Sequence, residues 1–102
     1  MTIELTAQNF EQEVMQSPIP VLVDFWAAWC GPCRMLSPLV DQLSEEYAGR
    51  AKFGKVNVDE QPQLAMTYRV SAIPTLIAFR DGKQVGSTVG VVPKAEIEKL
   101  LG

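Results

Sequence analysis

The run Val21-Leu22-Val23-Asp24-Phe25-Trp26-Ala27-Ala28-Trp29-Cys30-Gly31-Pro32-Cys33 decides how this chain folds. Val21 to Ala27 is apolar on both alternating faces apart from Asp24, the pattern of a strand buried inside a parallel sheet. Directly after it, Pro32 suits the first turn of a helix. From Pro32 to Tyr47 the residues Leu36, Leu39, Val40, Leu43 and Tyr47 fall on one side, and Gly49 marks the stop. Pro38 lies inside this amphipathic helix, removes a backbone donor and should kink it. A central strand thus turns sharply into the longest helix, and both cysteines of the chain sit at the corner.

Outward from this corner the pattern alternates. Ile3 to Leu5 reads as a short edge strand, and Thr6 is a candidate N-cap for a helix carrying Phe10 and Val14, ending before Ser17 and Pro18. Downstream, Lys52 to Asp59 reads as a strand and Pro62 to Tyr68 as a short helix. Thr75 to Arg80 and Lys83 to Val89 are strand-like runs joined by Asp81-Gly82, a signal for a tight type I′ hairpin. Pro93 opens a last helix with Ile97, Leu100 and Leu101 on its apolar side. The order βαβαβαββα predicts an α/β fold, a central mixed sheet of five strands with helices on both faces. With neither repeat nor linker, residues 1–102 are expected to form one domain.

A chain of 102 residues that is 47% hydrophobic can bury a core without metals or a disulfide framework. Nine Lys and Arg against twelve Asp and Glu give a net charge of -3, so nucleic-acid binding has no electrostatic support. The start, Met1 to Phe10, lacks the basic and apolar regions of a secretory signal, and no segment approaches the roughly 20 apolar residues that span a bilayer. The expectation is a cytoplasmic protein that does not bind membranes. In that compartment a close cysteine pair is more often catalytic, redox-sensing or metal-binding than a permanent staple.

The position of the pair assigns its chemistry. Cys30 falls at a helix N-terminus, where free N–H groups and the positive end of the helix dipole favour an anion. Thiols in such settings and in C-x-x-C motifs have pKa values of about 3.5 to 7.5 instead of about 8.5. Cys30 is therefore the expected nucleophile. Cys33, about one helical turn later, is placed to attack a mixed disulfide on Cys30 and release the partner. Gly31 lets a partner chain approach and Pro32 stiffens the loop, which tunes redox poise. A permanent disulfide closing so short a loop would contribute only roughly 2 kcal/mol. A tetrahedral zinc site would need unusual oxygen ligands or a second subunit, because the chain has no His and no further Cys. No metal is expected.

Asp24 interrupts an apolar strand, so burial should push its pKa upward and make it a candidate proton acceptor for Cys33. The lesser alternative is a satisfied structural carboxylate paired with Lys55 on the next strand, and the two roles are compatible. Lys55, set among Phe53, Val56 and Val58, is read either as an edge-exposed solubilising charge or as a group tuning Asp24.

Taken together, the run Val23 to Arg34, the internal Pro38, Val58-Asp59, Ile73-Pro74-Thr75 and Gly82 closely resemble the thioredoxin family, in particular its small bacterial and plastid members, nearly end to end. The resemblance implies reduction of protein disulfides by the Cys30/Cys33 dithiol, which alternates with a Cys30–Cys33 disulfide. It implies client proteins bearing disulfides, a dedicated NADPH- or ferredoxin-linked reductase, no bound cofactor, and a monomer. It supports Asp24 as the acceptor of the Cys33 proton and implies a cis peptide at Pro74 beside the cysteines. Trp29, Gly31, Pro32, Ile73, Gly90 and Val91 would then form an apolar rim for docking extended segments, with Trp29 as anchor. Trp26, Phe25 and Phe79 read as core, and Trp26 could also shield the dithiol. Arg69-Val70-Ser71-Ala72 departs from the commoner family pattern at a place that bears on docking. An oxidase or isomerase of the same fold, or a binding module in which the cysteines are incidental, are the alternatives. The Gly31-Pro32 pair and the missing signal favour the reductant.

Overall fold

In the computed structural model, which describes residues 1–102, the central strand β2 (Val21–Trp26) divides its side chains between two cores. Val21, Val23 and Phe25 point into one, and Leu22 into the other, as the two-residue period of a strand dictates. Asp24 shares the Leu22 side.

The five-stranded sheet runs β1 (Thr2–Glu4), β3 (Lys52–Asn57), β2, β4 (Thr75–Arg80), β5 (Lys83–Val89). β1, β3 and β2 are parallel, while β4 and β5 are antiparallel to their neighbours, giving the expected mixed sheet. Leu22, Phe53, Leu76 and Ala78 meet Leu36, Val40 and Leu43 of α1 (Gly31–Glu46) and Ile97 and Leu101 of α3 (Lys94–Leu101). On the opposite face Val23, Phe25, Val56 and Phe79 pack against Phe10 and Val14, with Leu64 of α2 (Pro62–Thr67) at the margin. Helices therefore cover both faces. None is long and apolar enough to cross a membrane. α1 continues unbroken through Pro38.

The first helical segment differs from expectation. It is a single turn of π-helix, Glu11–Met15, closed by the Gln16 N–H donating to the Glu11 carbonyl at 3.0 Å. Thr6 does not cap it with its side chain. Asn9 takes over the turn instead: its Oδ1 accepts the Thr6 N–H at 2.8 Å and its Nδ2 donates to the Glu4 carbonyl at 2.9 Å. That amide closes the chain back onto the end of β1 before the helix starts, and Phe10 and Val14 still reach the core.

The hairpin forms as read, with φ of 54° at Asp81 and 75° at Gly82. A β-bulge interrupts the register, pairing Ala78 with Gly86 but Phe79 with Gln84. At Gly82 a Cβ would lie 2.9 Å from the Met15 carbonyl oxygen, a backbone atom that cannot swing aside. Gly82→Ala is expected to destabilise the fold by about 1–3 kcal/mol through the clash and the positive φ together. Urea denaturation should show a lower midpoint at unchanged slope.

Candidate active site

Where β2 ends, Ala27 and Ala28 turn the chain and the Cys30 N–H donates to the Ala27 carbonyl at 3.2 Å. Cys30 is the N-cap of α1, with extended backbone (φ -89°, ψ 110°), and its Sγ accepts the Cys33 N–H at 3.1 Å. A sulfur thus occupies the position usually held by a Ser or Asp oxygen. In the dithiol state the same N–H and helix dipole face a sulfur anion and stabilise it. In this structure the two sulfurs form a disulfide, with Cα atoms 5.3 Å apart. Both cysteines are buried and cluster with Ala27 under Trp26, Val58 and Ile73.

Beneath Cys33 lies a cavity of about 130 Å³ lined by Asp24, Trp26, Cys33, Arg34, Ser37 and Lys55. Asp24 is 2% exposed, and its Oδ1 has no hydrogen-bond partner. Removal from water pushes its pKa from 3.8 up to about 6; the Lys55 charge opposes that rise and the Asp41 charge adds to it. The carboxyl therefore changes protonation within the physiological range.

Lys55 pairs in register with Asp24 across β2 and β3, yet its ammonium makes no hydrogen bond to that carboxyl. It donates to Ser37 Oγ at 2.7 Å and forms an ion pair with Asp41 Oδ1 at 3.2 Å. The alternative of an Asp24–Lys55 pair is thus replaced by contacts to α1, because the lysine stem is long enough to reach the helix lying over the sheet. The edge-charge reading of Lys55 also fails, since β3 lies between β1 and β2.

On the outer side of Cys30, Trp29 is 68% exposed. Its Nε1–H donates to Asp59 Oδ2 at 2.9 Å. Asn57 Oδ1 builds the turn that presents Asp59 by accepting the Asp59 N–H at 2.9 Å and the Glu60 N–H at 3.3 Å. The Ile73–Pro74 peptide is cis, and the Ile73 carbonyl oxygen lies 3.9 Å from Cys30 Sγ. The Gly90 N–H donates to the Pro74 carbonyl at 2.8 Å, bringing the Gly90-Val91 segment beside Pro74. Trp29, Val70, Ser71, Ala72 and Ile73 line an open groove of about 380 Å³, so the departing run 69–72 forms part of its wall. Arg69 takes a positive φ of 57° where the run begins. Gly31 and Pro32 are exposed at the tip of the helix.

Asn57, Ser37 and Asp41 stand outside the motifs of the sequence, and Asp59 enters them only within Val58-Asp59. Asn57 and Asp59 carry a signal in retrospect, an Asx turn directly after a strand. Ser37 and Asp41 follow Cys33 at successive intervals of four, which places all three on one row of a helix. Arg34 was noted only as part of the motif, but its guanidinium donates to the Ala28 carbonyl at 3.0 Å and ties α1 to the loop before Cys30.

A family model described as thioredoxin matches residues 1–102. The chain is similar to Thioredoxin 1 of Nostoc sp. (strain PCC 7120), 50% identical over 98 residues, which cover 96% of this chain and 92% of the relative. It is 50% identical over 97 residues to Thioredoxin 1 of Synechococcus elongatus, covering 95% of this chain and 91% of that one. It is 45% identical over 97 residues to chloroplastic Thioredoxin M4 of Arabidopsis thaliana, covering 95% of this chain and 50% of the relative.

Proposed function

The chain belongs to the thioredoxin family of disulfide oxidoreductases, and from that premise we propose how its own residues divide the reaction. It is a protein-disulfide reductase acting by dithiol/disulfide exchange. The Cys30 thiolate attacks one sulfur of a client disulfide, forms a mixed disulfide and expels the client's other sulfur as a thiolate, which takes up a proton. Cys33 then loses its proton to Asp24 across the cavity they share, and its thiolate attacks Cys30 Sγ. The second client thiol leaves. Two electrons have passed to the client, and the protein is left with the Cys30–Cys33 disulfide.

The observation that carries this reading is the N-cap sulfur of Cys30 at the head of a sixteen-residue helix, with an unpartnered buried carboxyl on the inner side of Cys33. Trp29, Ile73, Pro74, Gly90 and Val91 supply the docking rim, and Trp26 covers the dithiol from the cavity side. Gly31 and Pro32 set the approach and stiffness of the loop. Clients are proteins with accessible disulfides, a thioredoxin reductase returns the dithiol, and the cycle serves electron transport and redox balance in the cytoplasm. Insulin reduction in the presence of dithiothreitol tests the activity. A chain that does not accelerate insulin turbidity is not a reductase of this kind.

The division of labour between the sulfurs has its own signature. Cys33→Ser is expected to leave attack intact and block resolution, so Cys30 accumulates client chains as mixed disulfides. Non-reducing electrophoresis of the variant after mixing with a disulfide-bonded client reads this directly. If no thiol-sensitive adducts form on Cys30, Cys33 is not the resolving residue.

A further inference from the structure

Cys33, Ser37 and Asp41 form a row on α1; the first two line the cavity with Asp24 and Lys55, and Asp41 meets Lys55 at its exposed end. Lys55 has two acceptors on this row, the Ser37 hydroxyl at 2.7 Å and the Asp41 carboxylate at 3.2 Å. Asp24 Oδ1, although Asp24 lines the same cavity, has no donor. An ammonium offers three protons, and a buried carboxylate oxygen without a donor is the acceptor that gains most from one. That Lys55 leaves it unsatisfied means that the contacts on α1 prevail.

We propose that Ser37 is a positioning residue whose hydroxyl holds the Lys55 ammonium against α1 and so keeps it from closing onto Asp24. The proposal rests on the role given to Asp24 above and adds a device that sets when Asp24 can act. A countercharge within hydrogen-bond distance would fix Asp24 as a carboxylate and weaken it as a proton acceptor. Held back, Lys55 moderates the effect of burial without cancelling it. The charged and titratable groups around Asp24 are Lys55 from β3 and Cys33, Arg34 and Asp41 from α1, while β4 places Leu76 opposite it. Asp41 is more than half exposed, so its hold on Lys55 is screened by water, whereas the half-buried Ser37 contact is the shorter.

The experiment follows the Asp24 carboxyl by carbon NMR through a pH titration of the disulfide form, in which neither cysteine titrates. Ser37→Ala frees Lys55 to turn toward Asp24, and the Asp24 midpoint is expected to fall by about half to one pH unit. Ser37→Thr, which restores a hydroxyl at the same place, should keep the wild-type midpoint, and Lys55→Met should raise it. Alanine is a good helix former, so the fold is not at risk. An unmoved midpoint in Ser37→Ala, or the same fall in Ser37→Thr, overturns the proposal. The titration is read whether or not Asp24 takes the Cys33 proton, so failure here is separate from failure of the proposed mechanism, which Asp24→Asn kinetics decide.

Discussion

Cys30→Ser is expected to lower the rate of insulin reduction by at least about 10³-fold, because an alcohol is scarcely ionised near neutral pH and an alkoxide is a poor leaving group from a sulfur. The fold should not suffer. Serine is among the best N-cap residues, and its oxygen can accept the Cys33 N–H that Cys30 Sγ accepts at 3.1 Å. Loss of activity with an unchanged thermal unfolding midpoint in reducing buffer therefore isolates the nucleophile. A variant that keeps a rate within tenfold of wild type would remove Cys30 from that role.

Substitution of Asp24 should have two effects of opposite sign. Asp24→Asn removes the proton acceptor while preserving shape, and resolution by Cys33 is expected to slow about 10²-fold near neutral pH. Stopped-flow decay of a preformed mixed disulfide measures that step. The stability effect follows from linkage. The folded chain binds the Asp24 proton more tightly than the unfolded chain, with values of about 6 and 3.8. Between those two pH values the folded state therefore holds more protons, and stability falls as pH rises, levelling off above pH 6. The full difference is roughly 3 kcal/mol at about 1.4 kcal/mol per pH unit. Asp24→Ala, which buries no charge, should remove this slope and be more stable than wild type at pH 7 by about 2–3 kcal/mol, less the cost of any void left behind. Urea denaturation at pH 4 and pH 8 checks both statements; a variant with the wild-type pH slope would contradict them.

The sheet and its helices were legible because their signals are local. A strand with two apolar faces, a helix with one, and Asp81-Gly82 between two β-runs leave few arrangements open. The dithiol was legible for the same reason, since the strand-to-helix corner places Cys30 without help from distant residues. What escaped notice depends on where side chains end, not where they begin. The direction of Lys55 is decided by Ser37 and Asp41, eighteen and fourteen positions away, polar residues that lie outside the apolar stripe by which a helix is recognised. The sequence offers Trp29 as a candidate anchor, but the Asp59 that accepts its indole N–H comes from the turn after a different strand. The π-turn at Glu11–Met15 has no composition of its own, and Asn9 outcompeted Thr6 by reaching back to β1.

The strand order β1-β3-β2-β4-β5 also bears on how the molecule is made. Thr2 pairs with Phe53 and Phe25 with Thr75, so β1 waits about fifty residues for its one neighbour and β2 about as long for the second of its two. On a ribosome adding about 5–20 residues each second, that wait lasts several seconds. During it the nascent chain already carries Cys30 and Cys33. It lacks Ile73, which lines the groove, and the Pro74 and Gly90-Val91 segments beside it. Both cysteines are therefore made well before the residues that come to lie beside them, and the surroundings of the pair are complete only once the chain has passed Val91.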